Sequence, residues 1–288
     1  MPPLVSVVVP AYNNADFLES TLRSILEQTI EDFELIVADH GSTDGTWDVM
    51  RRFEDDSRVS LHRTEAGGGA LRNWNRVSQL ATGKYLKLVC GDDLLHPEIL
   101  ERQIAALEKE SSAVLTASPR SIIDARGGVI ISSRGLNGLR GLVPGHEALR
   151  RTVRAGTNLF GEPGCVTFRR EALEQAGWWD SRWPYFIDEA TYAQVLLFGP
   201  MVALDDEPLA SFRISSGQWS VALARSQASQ AAGFHGWLHS THPAIVRRQD
   251  ALLGNTRARS AAALRRLAYL YLSRRMSVAG SSAASSPE

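Results

Sequence analysis

An apolar run that ends in two adjacent carboxylates constrains this chain more than any other feature. Tyr85-Leu86-Lys87-Leu88-Val89-Cys90-Gly91-Asp92-Asp93 carries one charge, Lys87, before the acids. Such a run reads as a strand buried on both faces, the habit of parallel sheets covered by helices. Sheets of that kind bind ligands at the C-terminal ends of their strands, which is where Asp92 and Asp93 fall. Neighbouring carboxylates repel one another unless positive charge intervenes. A divalent cation carrying a phosphorylated ligand supplies it.

The preceding segments repeat the pattern. Leu4 to Val9 is a β-branched strand closed by Pro10. Ala15 to Gln28 has Phe17, Leu18, Leu22, Ile25 and Leu26 at helical spacing, with Asn14 as N-cap. Phe33 to Ala38 is a second strand, ending in the turn-rich Asp39-His40-Gly41-Ser42-Thr43-Asp44-Gly45-Thr46. Thr46 to Phe53 is helical, Val59 to Arg63 a strand, Glu65 to Gly69 a flexible glycine loop and Ala70 to Leu80 a helix. Pro97 opens a helix to Lys109, and Val114 to Ala117 is a further strand. Strands alternating with helices over about the first 120 residues give an α/β fold, a Rossmann-like, mostly parallel sheet with helices on both faces.

Beyond that point the pattern loosens. Arg126 to Gly145 is glycine-rich and reads as a mobile loop over a site. Cys165 to Phe168 and Met201 to Leu204 are strands, and Arg170 to Ala176 and Asp188 to Phe198 helices. The chain turns helical from Ala222, and 280–288 is small, polar and expected to be disordered.

The formal net charge of -1 gives no electrostatic case for nucleic acid. Two distant cysteines, Cys90 and Cys165, form neither a disulfide framework nor a zinc motif. With no signal-peptide pattern and no run near the ~20 apolar residues of a membrane span, the expected location is cytoplasmic, including the inner face of the cell membrane. A dinucleotide-dependent oxidoreductase would need a Gly-X-Gly-X-X-Gly turn after the first strand, which Pro10 to Asn14 lacks.

Asp39 ends one strand as Asp92 follows another, and Tyr12 and Asn13 follow the first. A carboxylate at Asp39 can accept hydrogen bonds from a base imide or a ribose hydroxyl. It can equally cap its own turn.

Val5-Ser6-Val7-Val8-Val9-Pro10-Ala11-Tyr12-Asn13-Asn14 resembles the first strand of family 2 inverting glycosyltransferases of GT-A fold. The Asp39 turn is similar to that family's Asp-Asp-Gly-Ser-Thr-Asp-Gly-Thr. Ala81-Thr82-Gly83-Lys84-Tyr85 followed by Gly91-Asp92-Asp93 resembles the approach to its Asp-X-Asp motif. The resemblance runs in order through about 220 residues. It implies a nucleotide-sugar-binding half over 1–120 and an acceptor-binding half over 121–221; the helical extension over 222–279 lies outside it.

The resemblance also implies roles. Pro10, Tyr12, Asn13 and Asp39 would border the base and ribose of a nucleoside diphosphate sugar. Arg72 and Asn73 would approach that donor. Asp92 would ligate Mg2+ or Mn2+ on the diphosphate, and Asp93 would touch the sugar or the metal shell. Asp188, in Tyr185-Phe186-Ile187-Asp188-Glu189, aligns with the family's catalytic base, which takes the proton of the acceptor hydroxyl. Helix N-capping is the structural alternative for it. Glu162, Trp179 and Glu189 would border the acceptor, a glycan, glycolipid or small molecule; buried packing for Trp179 and plain surface exposure for Glu162 are the structural alternatives. Asp180 would serve a turn.

Three positions depart from the family pattern. Cys90 replaces the first acid of Asp-X-Asp, His40 the second acid of the Asp39 motif, and Ser215 a histidine that can complete the metal site. The expected activity is a metal-dependent inverting, hexosyl-type transfer. The departures keep open an alternative, a non-catalytic nucleotide-sugar sensor or assembly subunit. The C-terminal Leu264-Arg265-Arg266-Leu267-Ala268-Tyr269-Leu270-Tyr271-Leu272-Ser273-Arg274-Arg275-Met276 region reads as a helix packed on the domain or on a second copy, with peripheral membrane contact as the competing reading.

Overall fold

The computed structural model describes residues 2–65, 67–215, 223 and 226–272. The first half alternates as the apolar runs require. β1 (Val5–Ala11), β2 (Phe33–Asp39), β3 (Val59–Arg63) and β4 (Tyr85–Leu88) are separated by α1 (Leu18–Leu26), α2 (Thr46–Arg51) and α3 (Gly69–Gln79). There follow β5 (Leu94–Leu95), α4 (Ile99–Lys109), β6 (Leu115–Ala117), β7 (Arg120–Ile123), β8 (Val129–Arg134), β9 (Gly141–Val143) and α5 (Gly145–Ala155). The remainder comprises β10 (Val166–Arg169), α6 (Arg170–Gln175), α7 (Ile187–Leu196), β11 (Met201–Ala203), β12 (Ala210–Arg213), α8 (Gln227–Thr241) and α9 (Arg248–Leu272).

The main sheet has eight strands in the order β3-β2-β1-β4-β10-β6-β11-β9. β1 to β4 pair in parallel, and β6 and β11 run the same way. β10 and the edge strand β9 are antiparallel to their neighbours. The sheet is therefore mostly parallel, as expected. A second sheet, β5-β12-β7-β8, stacks the later strands beside it. β1 and β4 are wholly buried, which is why they read as unbroken apolar runs.

Three local expectations are corrected. Pro10 does not end β1, which continues to Ala11 in register with Asp39. β4 pairs with β1 only as far as Val8, so the ring meets no ladder on that side. Asn14 is not the N-cap of α1. That position is Phe17, and the Asn14 carbonyl instead accepts from Phe17 and Leu18 N–H, both at 2.9 Å. The stretch 126–145 is not an irregular loop: it supplies β8 and β9. Its exposed side chains hid a strand whose backbone pairs with β7.

The helical extension packs on the catalytic body. Asp250 of α9 is buried and accepts from Arg150 Nε at 3.0 Å and from Arg154, both on α5. Gly254 lies so close to α5 that a Cβ there would sit 2.1 Å from the Val153 carbonyl oxygen. The expected disordered tail lies outside the described residues. No helix among the described residues is long and apolar enough to cross a membrane.

Candidate active site

The donor-side groups converge because β1, β2 and β4 end together. Asn13 takes a positive φ of 51° and ties two loops. Its N–H donates to Ser42 Oγ and its Oδ1 accepts from Thr43 N–H, both at 2.9 Å. Asn14 Oδ1 accepts from Tyr12 N–H at 2.9 Å, and Gly91 packs on the same side chain. A Cβ on Gly91 would lie 2.8 Å from Asn14 Oδ1, so glycine is what lets the Asp92 turn approach the first loop. Tyr12 is left with its ring 53% exposed, available for stacking.

Asp39 caps its own turn and keeps one carboxylate oxygen without a hydrogen-bond partner. Its Oδ1 caps the turn by accepting from Ser42 N–H at 3.0 Å. Its buried Oδ2 lies 3.4 Å from Arg63 Nε and accepts no hydrogen bond. That oxygen is the acceptor a base or ribose would need. His40 is buried beside it, and desolvation lowers its pKa. Thr64 Oγ1 donates to the Asp39 carbonyl at 3.0 Å, so His40 Nδ1, 3.2 Å away, must be the donor to Thr64. This places a hydrogen on Nδ1, while the lowered pKa favours the neutral ring.

Asn73 is buried and donates to the carbonyls of Ala11 and Ala38, at 3.4 and 3.2 Å. It braces the ends of β1 and β2. Arg72 is exposed and folds over Gly68 in the loop that precedes it.

Asp92 and Asp93 are both buried. Arg213, at the end of β12, serves the pair. Its backbone N–H donates to Asp93 Oδ1 at 3.0 Å and its Nε to the Asp92 carbonyl at 2.8 Å. Burial, and then the Asp92 charge, push Asp93 well above the usual carboxylate range, opposed by the Arg213 N–H. Extra positive charge is favoured here. Among the described residues no cluster of three His, Cys, Asp or Glu side chains is assembled to hold a cation. The hard carboxylate oxygens of Asp92, and of Asp93 beside it, are of the kind that Mg2+ or Mn2+ takes.

The acceptor side approaches from later segments. Asp188 opens α7. Its Oδ1 accepts from Glu189 N–H at 2.8 Å and its Oδ2 from Asn158 Nδ2 at 2.9 Å. Burial pushes its carboxyl up to about 7; those two donors oppose the rise and Glu162 adds to it. Glu162 is gripped at two points by Arg120, Nε to Oε2 at 2.6 Å and Nη2 to Oε1 at 3.0 Å. The two sides meet at Cys90. Burial, and then the charges of Asp93, Asp92, Asp188 and Glu162, drive its thiol upward. Three separate segments thus bring four acids around one position.

Two expected acceptor residues lie elsewhere. Trp179 is 3% exposed, donates its indole N–H to Ser78 Oγ at 2.8 Å, and packs edge-on to Trp74 and Phe168. Glu189 is 1% exposed, accepts from Thr152 Oγ1 at 2.7 Å, and is pushed by burial up to about 8. Neither has an open face for an acceptor, and both belong to the core beneath the site. Asp180 serves a turn as expected, accepting from Arg182 N–H at 3.0 Å. A groove of about 580 Å³ lined by Leu142, Phe198 and Ile245 includes none of these acids.

Sequence reasoning missed Asn158, Arg120 and Arg213. Arg213 lies two residues before Ser215, and Asn158 opens an Asn-X-X-Gly turn. Arg120 left no local signal.

Known proteins match this arrangement. Residues 6–177 fit the sequence model described as Glycosyl transferase family 2. Glycosyltransferase GlyG of Streptococcus pneumoniae is 25% identical over 221 residues, covering 75% of this chain and 73% of that protein. The UDP-Glc:alpha-D-GlcNAc-diphosphoundecaprenol beta-1,3-glucosyltransferase WfaP of Escherichia coli is 34% identical over 107 residues. That match covers 37% of this chain and only 42% of WfaP. Mannosyltransferase PcManGT of Pyrobaculum calidifontis, solved with GDP-Man and Mn2+, superposes with a TM-score of 0.65 at 19% identity over 94% of this chain and 76% of that one. The fold is GT-A. With the family model covering most of a chain whose strand ends carry these acids, the protein belongs to glycosyl transferase family 2.

Proposed function

We propose that the chain is an inverting glycosyltransferase that moves a sugar from a nucleoside diphosphate to an acceptor hydroxyl, with a divalent cation on the diphosphate. One observation carries the reading: Asp92 and Asp93 after β4, Glu162 before β10 and Asp188 on α7 all act electrostatically on the Cys90 thiol. Tyr12 offers its ring to the base, and Asp39 Oδ2 accepts from the base or ribose. Asp92 and Asp93 would hold Mg2+ or Mn2+, which when bound offsets charge developing on the leaving diphosphate.

Asp188 takes the acceptor's proton. The acceptor oxygen then forms its bond to the anomeric carbon as the bond from that carbon to the diphosphate oxygen breaks. The bonding pair leaves with the diphosphate, the proton stays on Asp188, and the configuration inverts. The lipid-diphosphate-linked sugar in the name of WfaP supports a glycan or glycolipid acceptor.

Calorimetric titration of UDP-glucose, UDP-N-acetylglucosamine and GDP-mannose, with and without Mn2+, tests the reading. At least one should bind, more tightly with Mn2+, and Asp92→Ala should abolish the Mn2+ effect. Binding by none, or a Mn2+ effect indifferent to Asp92→Ala, rejects it.

A further inference from the structure

Asp188 stands at a helix start in an acidic, buried setting, and an isolated carboxyl there would stay protonated. Two donors oppose this. One is the Glu189 N–H of its own helix. The other, Asn158 Nδ2 at 2.9 Å, is the one side chain among the described residues that donates to Asp188.

The Asn158 amide has no freedom to turn. Its Oδ1 accepts from Phe160 N–H at 2.9 Å and Gly161 N–H at 3.2 Å. Its Nδ2 spends its two hydrogens on the Gly161 carbonyl at 2.8 Å and on Asp188 Oδ2. A flipped amide would aim N–H at N–H and oxygen at oxygen, losing all four bonds. A closed turn therefore dictates where a hydrogen-bond donor meets the carboxylate.

We infer that Asn158 is a positioning residue for the transfer: its locked amide orients the carboxylate of Asp188 and favours the ionised form that accepts the proton. The inference rests on the reading of Asp188 as base. The other titratable groups bearing on Asp188 are Glu162 before β10, Cys90 after β4, Glu189 and Tyr192 on α7, and Arg120 on β7. The test must therefore read Asp188 itself.

Carboxyl 13C NMR of aspartate-labelled full-length protein does so, with Asp188→Asn identifying the resonance. Asn158→Ala should raise the Asp188 midpoint by about one unit or more. Asn158→Asp keeps the oxygen that accepts from Phe160 and Gly161 while replacing the donor with a like charge, and should raise it further. Turnover follows as nucleoside diphosphate released from UDP-glucose, UDP-N-acetylglucosamine or GDP-mannose with Mn2+, whichever calorimetry shows to bind. At pH 7 both variants should lose about fivefold or more in kcat with donor KM nearly unchanged, and Asn158→Ala should recover as pH rises to 9.

An unmoved NMR midpoint, or the same fractional loss at every pH, overturns the inference. If Asn158→Ala does not fold, Asn158→Asp carries the test alone. Full turnover by Asp188→Asn would instead remove the base assignment. An inactive Asp188→Asn beside an unaffected Asn158→Ala would remove only the positioning role.

Discussion

Arg120 and Glu162 pair at two points, and the pair joins the two sheets: Arg120 lies in β7 and Glu162 just before β10. The arginine is almost wholly buried, and the charge of the carboxylate adds to the raised pKa of Asp188. Arg120→Met should destabilise the fold by about 3 kcal/mol, because it strands a partly buried carboxylate. Glu162→Gln should have a different signature. It removes a like charge from beside Asp188, so the pH midpoint of kcat should move acidic. A kcat profile of Glu162→Gln that overlays the parent's would deny the coupling.

Asp188 and Glu189 make activity and stability run in opposite directions with pH. Their folded values, raised to about 7 and about 8, lie above the ~4 of an unfolded chain. The folded protein thus binds these protons more tightly, and stability falls as pH climbs from about 4 through 8. Turnover needs Asp188 ionised and should rise with a midpoint near 7. Melting curves and kcat measured across pH 5 to 9 check both, and a flat rate between pH 6 and 8 removes Asp188 as the titrating base.

Asp39 should act on donor affinity alone. Asp39→Asn keeps an oxygen for the Ser42 N–H but weakens acceptance at Oδ2. Loss of a charged hydrogen bond worth about 1.5–3 kcal/mol should weaken nucleotide binding roughly 10- to 150-fold, with the melting temperature little changed. Calorimetry with the free nucleoside diphosphate reads this directly; equal affinity would relegate Asp39 to its turn.

Trp179 should behave as core. Trp179→Ala should cost about 3–5 kcal/mol from the lost aromatic packing against Trp74 and Phe168. Trp179→Phe should cost less, mainly the orphaned Ser78 hydroxyl. For whatever fraction remains folded, acceptor KM should be unchanged. A large KM effect in a fully folded Trp179→Phe protein would return this residue to the acceptor site.

Lys87 gives a stability signature of the opposite sign. Its ammonium is buried, donates to the Gly164 and Val166 carbonyls at 2.9 and 3.1 Å, and burial lowers its pKa to about 7. Between about 7 and 10.5 the unfolded chain holds more protons, so this group adds stability as pH rises. Lys87→Met lacks the effect. The stability of the parent relative to Lys87→Met should therefore grow from pH 7 to 9 in urea melts; parallel curves would contradict the burial of a titrating amine.

What the sequence made legible follows burial. β1, β2 and β4 are parallel and covered, so their runs are apolar throughout and their ends mark Asp39 and Asp92 without ambiguity. Strands of the second sheet are two to six residues long, and β8 is mostly exposed, leaving no periodicity to read. The acids were legible one by one, while their supports were not. Asn158 is 30 residues from Asp188, and Arg213 is 120 from Asp93. In the sequence Trp179 stands between acceptor site and core because a tryptophan suits either, and its burial and its bond to Ser78, 101 residues away, place it in the core.

The reversed strand β10 has a consequence for how the chain is made. It is the only strand joining β4 to β6, yet it comes later in sequence than either. During synthesis the four parallel strands can assemble early, but β6 has no neighbour until residues 166–169 leave the ribosome. The gap between β4 and β6 is thus closed only after most of the polypeptide has emerged. Nascent chains arrested before that point should expose the apolar edge of β4 to chaperones, and those arrested after it should not.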